Sequence, residues 1–438
     1  MNCLVKKYNN FRKSRFITDI AIVVSGTAIA QIISIAFSPI LTRLYGPEAF
    51  GILGVFVAMV AMITPLKSLS YTMAIVIPKS DNDARILVRL SIFIAIGIAS
   101  LLALILWIFH TQVAHLFGLK TSSYYLMLIP IIVIFNSAEY SFSQWLIRKK
   151  QFRSISVTTI AHTALTNVAK TVVGVIFATA PVLIIINTIG QAFHAFLLWV
   201  NAKSSFLLDQ TQKQISIERQ SSSLKTIAYR YRDYPIYRAP QNFFHNTSQN
   251  IPVLLIAAFF GPVPAGYYAL TKRVLKLPST LISASVTKVL LPILAESAHN
   301  GINLRPLILK ATAGLALIGL FPYGFLIAFG PSIFSFVFGV EWSMAGEYAR
   351  WLSIWLFFML VNGPCIQAIP LLGLQAQFLV YEVILIAVST ASLAFGAIIL
   401  KSDIIAVALF SISGAILNII LLIWVFINSK DRLREDFR

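Results

Sequence analysis

Long apolar stretches broken by short polar turns make up most of this sequence. A helix needs about 20 predominantly apolar residues to cross a bilayer, and on that rule the pattern predicts twelve spans. Six fall in the first half: Ile17–Leu44, Phe50–Ile77, Ile86–Phe109, Ser123–Ile147, Ile155–Ala178 and Pro181–Ala202. Six follow in the second: Tyr237–Phe260, Tyr267–Leu291, Leu307–Phe329, Ala345–Pro370, Phe378–Leu400 and Ile404–Ile427. The predicted fold class is all-α integral membrane. It divides into residues 1–202, a polar linker at residues 203–233, and residues 234–438. The Ser/Gln-rich centre of the linker reads as a flexible or amphipathic connector.

The halves echo one another. Gly46, Pro47 and Gly51, after the first span, match Gly261, Pro262 and Gly266, after the seventh, at one constant offset. Phe117-Gly118 before the fourth span pairs at a nearly equal offset with Phe338-Gly339 before the tenth. Six spans separate each pair, an even number. The predicted arrangement is two six-helix bundles in parallel topology, related by a pseudo-two-fold axis along the membrane normal. Transporters of that plan carry substrate in a central cavity between the lobes.

Composition supports the membrane reading. Hydrophobic residues make up 58% of the chain and charged ones 12%, against about 45–50% and 25% in ordinary soluble domains. The net charge of +19 does not point to nucleic acid, because the basic residues are scattered between apolar spans. They follow topology instead. Lys6, Lys7, Arg12, Lys13 and Arg15, then Arg148, Lys149, Lys150 and Arg153, fall on one side together with the linker and the tail. The positive-inside rule therefore puts both termini in the cytoplasm. Ala28-Ile29-Ala30 resembles a cleavage site, but the apolar run continues past it, so an uncleaved first span is expected. Cys3 and Cys365 form no disulfide framework, and no metal site or cofactor is expected. There is no phosphate-binding Gly-rich loop, zinc signature or G-x-S-x-G elbow, which argues against an enzyme.

One stretch breaks the apolar rule. Tyr267–Pro292 is long enough to cross the bilayer, yet it carries Lys272, Arg273, Lys276 and Lys288. A lysine or arginine at mid-membrane depth costs about 2.5–3.5 kcal/mol on insertion scales, so such residues face protein or a water-filled cavity. Lys272 and Lys276 share a helix face, which Thr280, Ser283 and Thr287 continue. The stripe suggests a path for an anion. Lys67 in the second span and Lys170 in the fifth are further intramembrane cations. Snorkelling to an interface competes with this reading, most strongly for Lys272 and Arg273 near the outer end.

The stretch ISIAFSPILTRLYGPEAFGILGVFVAMVAMITPLKSLSYT, with its Gly, Pro and aromatic pattern around a short turn, resembles the Wzx-type oligosaccharide flippases of the multidrug/oligosaccharidyl-lipid/polysaccharide (MOP) exporter superfamily. The resemblance is strongest over residues 17–90 and extends more weakly across all twelve spans. It implies alternating access, residence in the bacterial inner membrane, and a polyprenyl-diphosphate-linked oligosaccharide as substrate. A glycan polymerase and chain-length machinery would be partners. Lys67, Lys170, Lys272, Arg273, Lys276 and Lys288 would then offset the diphosphate charge in a low-dielectric region. Asn136, Tyr140, His162, Gln241, His245 and Thr280, on polar stripes of spans four, five, seven and eight, are candidate glycan contacts. The competing reading of such stripes is interhelical packing. Glu139 and Glu382, carboxylates within spans, are candidates for ion coupling. Two alternatives remain at this stage. One is a small-molecule cation antiporter of the same superfamily, for which the spans are too basic. The other is a membrane-embedded glycan polymerase, for which the outer loops are too short.

Overall fold

The computed structural model describes residues 2–211, 223–299 and 303–431. All regular elements among the described residues are helical. They are α1 (Asn2–Ile63), α2 (Asp81–Leu116), α3 (Leu128–Arg148), α4 (Phe152–Ile176), α5 (Ala180–Thr211), α6 (Leu224–Arg230) and α7 (Ala239–Phe260), then α8 (Pro262–His299), α9 (Arg305–Phe338), α10 (Ser343–Val361), α11 (Gly363–Ala368), α12 (Gln375–Ile398) and α13 (Asp403–Asp431). Short 3-10 turns join several of them. Eight helical segments among the described residues are long and apolar enough to cross a membrane. Large apolar side chains such as Phe93, Trp107, Leu317 and Phe321 stand exposed on them. Surface of that kind is stable against lipid and not against water. The chain is a multi-pass membrane protein.

Two compact units make up the chain. The first comprises Met1–Tyr45 and Ile52–Asn250, the second Gly46–Gly51 and Ile251–Arg438.

In the first unit α3 packs on α2 and α5, and α5 packs on α4. α1 lies along α4, where the Ser156 hydroxyl donates to Ile22 O at 2.9 Å and the Tyr45 hydroxyl to Lys170 O at 2.7 Å. A core of Leu87, Trp145, Leu146 and Leu198 closes one end of the unit. Above it a charged clasp joins two helix termini: Arg148 and Lys149, at the end of α3, meet the Asp81 carboxylate at 2.7 and 2.5 Å in the first turn of α2. Each charge suits the helix end that carries it, an acid at an N-terminus and bases at a C-terminus. Ser80 caps α2 by accepting from the Asn82 N–H. Within the polar segment 203–233, α5 extends to Thr211, and α6 buries Ile227 completely in the same core. The Tyr71 hydroxyl donates to Ala228 O at 3.0 Å, and Arg230 pairs with Asp83 at 3.2 Å.

The predicted second span, Phe50–Ile77, is helical only to Ile63. Pro65 has no N–H to continue the ladder, and Leu69 and Ser70 take positive φ of 46° and 60°. The chain turns through residues 64–70 and resumes as the 3-10 helix Tyr71–Val76. This break places Lys67.

In the second unit α10 is the hub, packed against α8, α9 and α13. Thr271 Oγ1 donates to Ala345 O at 2.7 Å, and the Tyr348 hydroxyl donates to the Asp403 carboxylate at 2.6 Å. At the other end of α10 the fully buried Asn362 amide donates to Asn418 O and Oδ1, at 2.8 and 2.9 Å. The unit also contains a reciprocal backbone crossing. A Cβ on Gly51 would lie 1.7 Å from Pro262 O, and a Cβ on Gly266 would lie 2.0 Å from Pro47 O. Four of the six glycines of the two sequence echoes, Gly46, Gly118, Gly261 and Gly339, take positive φ, the conformation that favours glycine.

Candidate functional site

The first unit holds a polar pocket of about 240 Å³, lined in part by Lys67, Ser68, Ser70, Tyr140, Asn242 and Asn246. Its cation is held in place. Lys67 is 6% exposed, its ammonium donates to Asn136 O at 2.8 Å, and it lies 5.3 Å from the centre of the Tyr140 ring. It also interacts electrostatically with Glu139. The turn at residues 64–70 directs this lysine into the bundle, and α3 supplies its three neighbours. A buried ammonium is costly unless hydrogen-bonded and opposed by charge, and here both conditions are met.

One turn further along α3, away from Arg148, a second cavity of about 220 Å³ opens beside Asn136. Thr64, Asn136, Asn187 and Gln191 contribute polar groups to its lining, and Phe56 and Ile132 are among its apolar residues. Thr64 lines both cavities.

A line of titratable groups runs beside these cavities. His194 Nδ1 lies 3.8 Å from Glu139 Oε1, and its ring stacks on His162 with centroids 4.6 Å apart and planes at 8°. His194 Nε2 and Thr166 Oγ1 are buried with no hydrogen-bond partner. Gly190 permits this packing: a Cβ there would meet Thr166 Oγ1 at 2.6 Å and His162 Nε2 at 3.4 Å. The Lys170 ammonium donates to Asn187 Oδ1 at 3.4 Å, close to the second cavity.

Lys67, Asn136, Tyr140 and Glu139 therefore gather at one place, and His162 and Lys170 join the same bundle through His194 and Asn187. Gln241 and His245 are exposed on α7, with Gln241 accepting from Arg238 at 3.2 Å. Their neighbours Asn242 and Asn246 line the pocket instead. A step of one residue turns a helix face by about 100°, which separates the two pairs on α7. Lys272, Arg273 and Lys276 belong to α8 in the second unit, Lys272 half-buried and the other two exposed. Thr280 and Lys288 also lie on α8, but their side chains are outside the described residues, as are those of Ser283 and Thr287. Glu382 sits half-buried on α12 beside Tyr381. Asn187, Gln191, Ser68 and Ser70 were not singled out from the sequence. The signal for the serines was present in Pro65-Leu66-Lys67-Ser68-Leu69-Ser70 inside an apolar span.

The fold is shared with solved transporters. The chain superposes over 94% of its length on an inward-facing multidrug resistance MATE family transporter of the MOP superfamily, with a TM-score of 0.67, 12% identity and 99% of that chain covered. It superposes equally well on the lipid II flippase MurJ in an inward closed conformation, with a TM-score of 0.67, 15% identity, and coverage of 92% of this chain and 87% of that one. In sequence it is 23% identical over 368 residues to the succinoglycan biosynthesis transport protein ExoT of Rhizobium meliloti (strain 1021), which is 82% of this chain and 70% of the relative. A sequence model of polysaccharide biosynthesis proteins matches residues 40–347, well over half of the chain. The chain belongs to the polysaccharide biosynthesis protein family.

Proposed function

We propose that this chain flips a polyprenyl-diphosphate-linked oligosaccharide, the repeat unit of a surface polysaccharide such as O-antigen, from the cytoplasmic to the outer leaflet of the bacterial inner membrane. It acts as a transporter working by alternating access, not as an enzyme. The observation that carries the reading is the buried Lys67 ammonium at the edge of a polar pocket, with Ser68, Ser70, Asn242 and Asn246 beside it. A diphosphate oxygen can take the place of Asn136 O on that ammonium, and hydroxyls and amides can hold the adjoining oxygens. A cationic drug would find an ammonium where it needs a carboxylate, which disfavours the antiporter reading. Family membership and the similarity to ExoT support a glycan-linked substrate. Splitting α1 at Gly46 and adding α4, α7 and α8 to the eight apolar segments gives twelve spans, six on each side of the linker; an even number keeps both termini on one side, and the basic loops favour the cytoplasm for it.

Removing the chain from its host is expected to leave the lipid-linked oligosaccharide stranded on the cytoplasmic leaflet. There it stays inaccessible to a glycan-modifying enzyme added to spheroplasts. Re-expression restores access. Full access without the chain overturns the proposal.

Glu139 is our choice for the coupling group, because it sits between the Lys67 ammonium and the stacked histidines. An acid and an imidazole in contact can hold and pass one proton. In proteoliposomes, wild-type translocation should change with an imposed pH gradient, and Glu139→Gln should be indifferent to it. A Glu139→Gln variant that follows the gradient as the wild type does removes Glu139 from this role.

A further inference from the structure

We infer that the cavity between Phe56, Ile132, Asn187 and Gln191 is a sugar subsite, which holds the pyranose attached directly to the diphosphate. The inference rests on the reading of Lys67 as the diphosphate site.

The lining selects the ligand. Asn136, Asn187, Gln191 and Thr64 offer amide and hydroxyl groups, and no charged side chain lines the cavity. A neutral ligand rich in hydroxyls finds donors and acceptors together there. Gln191 is half-buried and has no hydrogen-bond partner among the described residues, so its amide is available to a ligand. Asn187 accepts from Lys170 through Oδ1, which leaves its N–H groups to donate. Phe56, Val60 and Ile132 add buried apolar surface to the same lining. A pyranose likewise combines hydroxyls around its edge with C–H groups on its face. A volume of about 220 Å³ suits one ring rather than a chain of them.

Position gives the second argument. In a glycosyl diphosphate the first sugar is one oxygen away from the phosphorus, so its subsite must adjoin the anion site. Asn136 meets this requirement by itself: its carbonyl accepts from Lys67, and the residue lines the second cavity. Thr64 lines both cavities.

The test is equilibrium binding to the purified full-length protein of two probes, a bare polyprenyl diphosphate and the same lipid carrying one N-acetylhexosamine. The wild type should bind the sugar-bearing lipid about tenfold more tightly, the equivalent of one or two net hydrogen bonds. Gln191→Leu should erase that preference and leave the bare lipid's affinity unchanged. Ala61→Leu, which fills the cavity without altering an amide, should do the same; thermal unfolding checks that both variants are folded. Equal wild-type affinity for the two lipids, or a preference that survives in both variants, overturns the sugar subsite and leaves the diphosphate site standing. Failure of the wild type to bind either lipid overturns the diphosphate reading, and the subsite falls with it.

Discussion

Gly51→Ala should yield no monodisperse folded protein after extraction, and Gly266→Ala should fail in the same way. A methyl group on Gly51 would lie 1.7 Å from Pro262 O, and one on Gly266 would lie 2.0 Å from Pro47 O. Overpacking a core usually costs about 1–3 kcal/mol, because side chains can rotate away. Here each obstacle is a backbone carbonyl near the start of a helix, and relief requires the two segments to separate. The cost is expected to exceed that range. Gly97→Ala is the control. It is also a glycine within an apolar helix, but its Cβ would meet nothing within 4 Å, and alanine is the better helix former by about 1 kcal/mol. Size-exclusion profiles and unfolding temperatures of the three variants decide the matter. A Gly51→Ala protein as stable as Gly97→Ala would mean that the crossing is looser than described.

Lys67→Met should reduce surface-glycan display by roughly ten- to a hundredfold, since hydrogen bonds to a charged group are worth about 1.5–3 kcal/mol and each 1.4 kcal/mol is tenfold. Methionine fills nearly the same volume without the charge. Removing the ammonium also strips the half-buried Glu139 carboxylate of its counter-charge, so folding and insertion of the variant are verified by size exclusion before display is compared. Lys67→Arg keeps a cation and should retain a substantial part of the display. The comparison separates a role for charge from a role in packing. If methionine and arginine are equally impaired, the lysine serves structure and not the anion.

Much of the fold was legible because lipid imposes one strong rule on the sequence. Apolar length located the helices, and the Gly-Pro echoes at residues 46 and 261 marked turns whose glycines do take positive φ. The site was legible only in part. Lys67, Asn136, Tyr140 and Glu139 stood out as polar residues in apolar surroundings, and they do meet. The break in Phe50–Ile77 at Pro65 did not stand out, because the hydropathy continues through the turn to Ile77. Helical phase was also hard to read on α7, where every turn from Gln241 to Asn250 carries several polar residues. Only packing shows that Asn242 and Asn246 turn toward the pocket. Asn187 and Gln191 were missed for a different reason. Single amides in α5 look like ordinary glue between helices until the cavity beside them is visible.

The central claim is that the Lys67 charge carries an anionic glycolipid across the membrane. Its most direct test is translocation of a fluorescent polyprenyl-diphosphate oligosaccharide in proteoliposomes, comparing wild type, Lys67→Arg and Lys67→Met at equal protein density. We predict rapid flipping by the wild type, measurable flipping by the arginine variant, and a rate for the methionine variant near that of protein-free vesicles. A methionine variant that flips the lipid at the wild-type rate would contradict the account.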